Sequence, residues 1–182
     1  MQRLKNLSDY ISSSGVDDAA EILAFIESVV TDRSPRRIVD LLKIYKSFVY
    51  LPRTNGSNSI KDVLPAILNE SEQLQAFYAD RIYGSEGVVK SLNFTKPISW
   101  LHIDGGEVLD PYARLPILDE VPEGMMKVKN GGAAPAAYSL LQSDCLDAPQ
   151  RDYLENSLLQ YCELDTLAMV MIYQYFREVC VQ

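Results

Sequence analysis

The chain has 182 residues, 47% of them hydrophobic and 23% charged, the composition of an ordinary soluble globular domain rather than a disordered or fibrous chain. Its longest apolar runs, such as 164–173, are broken by polar residues well short of the roughly 18 needed to cross a bilayer, so no membrane partner is expected. The start, Met1-Gln2-Arg3-Leu4-Lys5-Asn6, lacks the apolar stretch of a secretion signal, and Cys145, Cys162 and Cys180 form no even disulfide framework, so a cytoplasmic location is the expectation. With His102 as the one histidine and three widely spaced cysteines, the usual tetrahedral zinc spacings are excluded from this chain alone. So is any Ser/His triad that does not use His102. The cysteines read as buried thiols.

The net charge of −8 is unevenly placed. Residues 1–98 hold 12 basic and 12 acidic residues, whereas residues 99–182 hold 5 basic and 13 acidic. Within the neutral half, the stretch from Arg33 to Lys61 carries seven cations against a lone Asp40. Arg36, Arg37, Lys43, Lys46 and Lys61 are therefore the candidates for contact with a phosphate backbone, provided that folding gathers them on one side.

The elements read mostly as helices. Leu4, Leu7, Tyr10 and Ile11 fall at helical spacing until Ser12-Ser13-Ser14-Gly15 breaks the pattern. Asp17 then caps a second helix through Val30, antiparallel to the first. Residues 38–49 are so densely apolar that a buried strand at their start and a helix after Asp40 both remain open. After a loop at 52–56, Ser57 or Ser59 caps a helix that Pro65 bends or ends early, and residues 70–82 continue as helix.

Residues 83–132 differ in kind, holding seven of the nine glycines and four of the nine prolines. A long connection of this sort is functional or disordered. Its large side chains, Trp100, Tyr112, Leu115, Ile117, Met125 and Met126, favour a packed flap. Within it, Ile98 to Ile103 is the best strand candidate, ended by Asp104-Gly105-Gly106. Helices follow at 133–142, 149–161 and from there to Cys180. The expected fold is a single domain over 1–182, mainly α with a few short strands near 37–41 and 98–103. Its parts are a helical part (1–82), the Gly/Pro-rich flap (83–132) and C-terminal helices (133–182).

Chemically interesting residues concentrate at the start of the last helix. Tyr161 and Asp165 are four apart and so share a face about 6 Å apart, among apolar neighbours Leu158, Ala168, Met169 and Ile172. A carboxylate in such surroundings is costly unless it is paired or coordinates a cation. Glu163, two residues earlier, points about 160° away and cannot share that cation. Asp144 and Asp147 read as caps for the helix after Pro149, and His102 with Asp104 is the other candidate base.

Tyr161-x-x-x-Asp165 on an amphipathic helix resembles the third motif of the ribonuclease-H-like, tyrosine-type 3′–5′ exonucleases. Residues 3–176 resemble an uncharacterised bacterial domain family assigned to that superfamily. The resemblance is carried by Arg37-Ile38-Val39-Asp40-Leu41-Leu42, by Gly56-Ser57-Asn58-Ser59-Ile60-Lys61-Asp62-Val63-Leu64-Pro65-Ala66-Ile67 and by Asp110-Pro111-Tyr112-Ala113-Arg114-Leu115-Pro116. Asn130-Gly131-Gly132-Ala133-Ala134 and 161–170 complete it. It implies the helical C-terminal portion of a ribonuclease-H-like α/β fold. It also implies two Mg²⁺ or Mn²⁺ ions held by four acidic residues, which activate a water and steady the leaving oxygen. Asp165 would be the fourth acid and a metal ligand, and Tyr161 would orient the water.

The Asp-x-Glu of the first motif does not occur where the family requires it, and the second motif should fall just before Met1. The resemblance therefore implies a nuclease acting on DNA or RNA that is inactive alone, its missing ligands supplied by an N-terminal segment or a partner chain. The other function class is a diverged, non-catalytic binding module of the same fold. An apolar surface at Leu41, Ile44, Leu167, Val170 and Met171, where a central sheet would pack, is a further expectation.

Overall fold

The computed structural model describes residues 2–30, 38–118, 121–129 and 131–180. The chain divides into two compact units, Met1–Ile44 and Tyr45–Gln182. In the first, helix α1 (Gln2–Ser14) packs on helix α2 (Ala19–Val30), burying Ile11, Ile26 and Val29. The serine run ends α1 as expected. The hydroxyls of Ser12, Ser13 and Ser14 donate back to the carbonyls of Ser8, Tyr10 and Ile11, competing with the helix ladder, and Gly15 follows at φ +66°.

Residues 38–40 are not a strand. Asp40 instead caps helix α3 (Leu41–Phe48), its carboxylate accepting from the backbone N–H groups of Leu42 and Lys43 at 3.1 and 3.2 Å. Asp40 thus decides between the two readings of this stretch.

The larger unit is built around helix α7 (Ala148–Cys180), a single helix of 33 residues where the sequence suggested two. At 1.5 Å per residue it is about 50 Å long. Ser157, Tyr161, Leu164, Ala168, Met171 and Ile172 give it one continuous buried stripe. Asp147 caps its start by accepting from the Gln150 N–H at 2.8 Å, as its sequence position indicated. Against α7 pack α4 (Ile60–Glu70), α5 (Glu72–Ala79) and α6 (Ala133–Leu141).

Helix α4 does not end at Pro65 but continues to Glu70, because Val63, Leu64, Ala66, Ile67 and Leu68 are all buried and offset the ladder bond that proline removes. Its break from α5 falls at Ser71, not at the proline. The Ser71 hydroxyl accepts from the Leu74 N–H at 3.0 Å and donates to Glu178 of α7, so one buried side chain ends α4, starts α5 and ties both to the spine.

Residues 83–132 contain one two-stranded antiparallel sheet, β1 (Ile103–Asp104) and β2 (Glu107–Val108), paired Ile103 to Val108 and Asp104 to Glu107. Of the strand expected over 98–103, Ile98 forms an isolated bridge with Tyr83 and Ile103 begins β1, with no strand between them. This segment supplies part of the core. Trp100, Tyr112 and Leu115 are among the most deeply buried side chains of the chain, although Met126 is exposed. Tyr83, Phe94 and Trp100 meet edge to face with ring centroids 5.2 to 5.9 Å apart. The tight turn beneath them needs Gly87, where a Cβ would lie 2.2 Å from the Ile82 carbonyl oxygen.

Glu163 fastens this segment to α7. Its carboxylate accepts from the Tyr83 and Ser91 hydroxyls, each at 2.5 Å, and from the Asn93 side-chain amide at 2.6 Å. The apolar surface expected at five positions is divided: Leu167 and Met171 are buried, Leu41 and Ile44 half-buried, and Val170 exposed. All three cysteines are exposed rather than buried: Cys162 and Cys180 fall on sides of α7 that the core does not use, and Cys145 lies in the turn between α6 and α7. Glu163→Ala should lower stability by about 2–4 kcal/mol, because several donors lose a charged acceptor. Urea unfolding would measure this, and hydrogen exchange should show protection lost first over 83–95.

Candidate functional site

Asp165 and Tyr161 lie at the middle of α7, not at its start, and they share a face as their spacing requires. Asp165 is half-buried and accepts from the Tyr112 hydroxyl at 2.6 Å. Tyr112 and Tyr161 pack with ring centroids 5.9 Å apart. Lys61, projecting from the first turn of α4, holds its ammonium 4.6 Å from the Tyr112 ring centroid and 5.5 Å from that of Tyr161, and donates to the Lys129 carbonyl. A Cβ at Gly131 would approach the Tyr161 hydroxyl to 3.8 Å, so the backbone there runs beside it.

Local structure explains each position. Ser59 caps α4 by accepting from the Lys61 N–H, fixing where the lysine leaves the helix. Asp110 accepts from the Tyr112 N–H at 3.0 Å and starts a 3-10 turn, Pro111–Arg114, that carries the Tyr112 ring into the core. Proline at the first position of that turn has no N–H to leave unsatisfied.

The electrostatics follow from burial. The Tyr112 phenol is raised far above its ordinary range, by desolvation first and then by its bond to Asp165. Tyr161 is raised in the same way by desolvation and by the Asp165 charge. Both are neutral donors at neutral pH. Asp110 is raised as well, mainly by desolvation, with its bond to Tyr112 and the Lys61 charge pulling the other way.

The predicted basic residues do not all arrive here. Lys61 does. Lys43 and Lys46 are exposed on α3, and Arg36 and Arg37 lie outside the described residues. Arg53, in the same basic stretch, pairs with Glu70 at 3.7 Å and with Glu107. Beside Lys61 a polar groove of about 510 Å³ is lined by Arg53, Asp62, Asn69, Glu107 and Asp110 among others. Glu163, engaged with Tyr83, Ser91 and Asn93, faces away from Asp165, and His102 is exposed at the entry to β1.

Among the described residues no group of three or more His, Cys, Asp or Glu side chains is placed to hold a metal ion. Mg²⁺ and Mn²⁺ want octahedral oxygen ligation, commonly with more than one carboxylate, so Asp165 by itself does not fit the pair of cations that the resemblance implies. Tyr112 is the site residue that sequence reasoning did not single out as Asp165's partner. Its signal was present in the Asp110-Pro111-Tyr112 turn, but a separation of 53 residues hid the pairing. No protein-family model matches the chain, and no curated protein or solved structure is significantly similar to it.

Asp110→Asn keeps the cap and removes a charge that folding disfavours. Because the folded pKa lies above the unfolded one, the penalty is full at neutral pH and vanishes below the unfolded value of about 3.9. The variant should therefore melt at or above the parent temperature at pH 7, with the difference closing as pH falls below about 4. Asp110→Ala, lacking the cap, should lose about 1 kcal/mol. Thermal denaturation across pH checks both.

Proposed function

We propose that residues 45–182 form the helical part of a metal-dependent, 3′–5′ exonuclease-like nuclease acting on nucleic acid, and that further acidic residues come from an N-terminal segment or a partner chain. One observation carries this reading. Four of the five stretches behind the ribonuclease-H-like resemblance, far apart in sequence, converge on Asp165 through Lys61, Tyr112, Gly131 and Tyr161.

The side chains present divide the work plainly. Asp165 offers the carboxylate oxygen that Tyr112 leaves free. Tyr112 holds that carboxylate in one orientation, and Tyr161, neutral at working pH, offers a hydroxyl to a water or a phosphate oxygen. Lys61 gives the spot a positive charge suited to a phosphate, its ammonium held over the buried Tyr112 and Tyr161 rings. Mg²⁺ or Mn²⁺ needs carboxylates beyond Asp165, and no step through a metal follows from this chain alone. That shortfall is what favours the second reading, a non-catalytic nucleic-acid-binding module.

The purified 182-residue chain should show no magnesium- or manganese-dependent digestion of labelled single-stranded DNA or RNA. Supplying an Asp-x-Glu segment, fused upstream or added in trans, should restore cleavage. Asp165→Asn should then abolish it, while Tyr161→Phe, which deletes a positioning hydroxyl, should cost about 10- to 100-fold. Digestion by the chain alone that survives Asp165→Asn would place the reaction elsewhere. Binding of labelled strands without cleavage in any reconstituted form would establish the second reading.

A further inference from the structure

Helix α7 has a second apolar face. Leu159, Cys162, Thr166, Met169, Val170 and Tyr173 are all exposed, the four large ones among them at 44% to 53%. At about 100° per residue they occupy a sector roughly 100° wide, turned away from the buried stripe of Leu164, Ala168 and Met171. The charged residues within this span lie off its edges, Glu163 engaged with Tyr83, Ser91 and Asn93, and Asp165 with Tyr112.

Charge returns at the two ends with opposite sign. Glu155 lies one turn before Leu159 and Arg177 one turn after Tyr173, both exposed, in the same sector. Neither forms an ion pair with a described residue. The pattern is symmetric about Thr166. Leu159 and Tyr173 stand seven residues to either side of it, Glu155 and Arg177 eleven.

We propose that this face binds the same face of a second copy of the chain, with the two α7 helices antiparallel across a two-fold axis at Thr166. Leu159 then lies against Tyr173 of the partner subunit, Cys162 against Val170 of the partner subunit, and Glu155 against Arg177 of the partner subunit. The symmetry makes each contact twice. A parallel pair would set Glu155 beside Glu155 of the partner subunit and Arg177 beside Arg177 of the partner subunit, so the end charges select the antiparallel arrangement. The seam is about 21 Å long, at the small end for stable association, and the dimer should dissociate in the micromolar range.

Sedimentation equilibrium of the full chain from about 5 to about 500 µM tests this. The parent should dimerise with concentration, and Val170→Glu should weaken association at least about tenfold. Glu155→Arg and Arg177→Glu should each weaken it about fivefold, and the double variant should return to within about twofold of the parent. The Glu155→Arg arm is the discriminating one, because it lowers the net negative charge and would strengthen any association limited by general repulsion. A monomer at every concentration, a dimer indifferent to Val170→Glu, or a double variant without recovery would each overturn the proposal. Monomers that dimerise only when an Asp-x-Glu segment is supplied would overturn it too, in favour of that segment as the occupant. All four variants change exposed positions, and circular dichroism confirms that each one folds.

Discussion

Two carboxylates set two residues apart on α7 govern how the larger unit is assembled. Glu163 and Asp165 are half-buried in mid-helix, where an unpartnered charge would be costly. Neither meets a lysine or arginine among the described residues. Each is satisfied by hydroxyl and amide donors brought in from the irregular segment, Tyr83, Ser91 and Asn93 for Glu163 and Tyr112 for Asp165. The segment is thereby pinned on two sides of one helix. The Tyr83, Phe94 and Trp100 cluster and the buried Tyr112 ring then fill the space between. Charged hydrogen bonds fix direction, and apolar area supplies most of the free energy.

That arrangement gives the Asp165 spot a particular character. The Asp165 carboxylate is held by the Tyr112 phenol, with an ammonium over the Tyr112 and Tyr161 rings and no adjacent guanidinium among the described residues. Arg53, which could have served, is spent on Glu70 and Glu107 along the neighbouring groove. Acid and base are thus sorted into separate pairings only a few residues apart.

Helices with strong local signals were legible from the sequence. Ser59, Asp40 and Asp147 could be read as caps or helix starts because capping is decided within three or four residues. The pairing of Tyr161 with Asp165 was legible because helical spacing alone brings them together. What failed was whatever depended on distant partners. The helix expected over 70–82 is interrupted at Ser71 by a hydroxyl whose partner is Glu178, and the continuity of α7 rests on cover from α4, α5 and α6. Glycine and proline density marked 83–132 as irregular and its large side chains as packed, but that composition does not say which of them, Trp100 and Tyr112 rather than Met126, is buried.

The Ser71 hydroxyl has a bearing on how the protein is made. Its bond to Glu178 spans 107 residues, that of Tyr83 to Glu163 spans 80, and that of Tyr112 to Asp165 spans 53. Every one of these closures ends on α7, which leaves the ribosome after the segments it closes on. At roughly 5–20 residues per second, residues 45–147 spend several seconds outside with Trp100, Tyr112 and Leu64 lacking the surface that covers them. The larger unit therefore folds after translation of α7 rather than piecewise during synthesis. Its nascent chain leaves those apolar segments uncovered until α7 arrives.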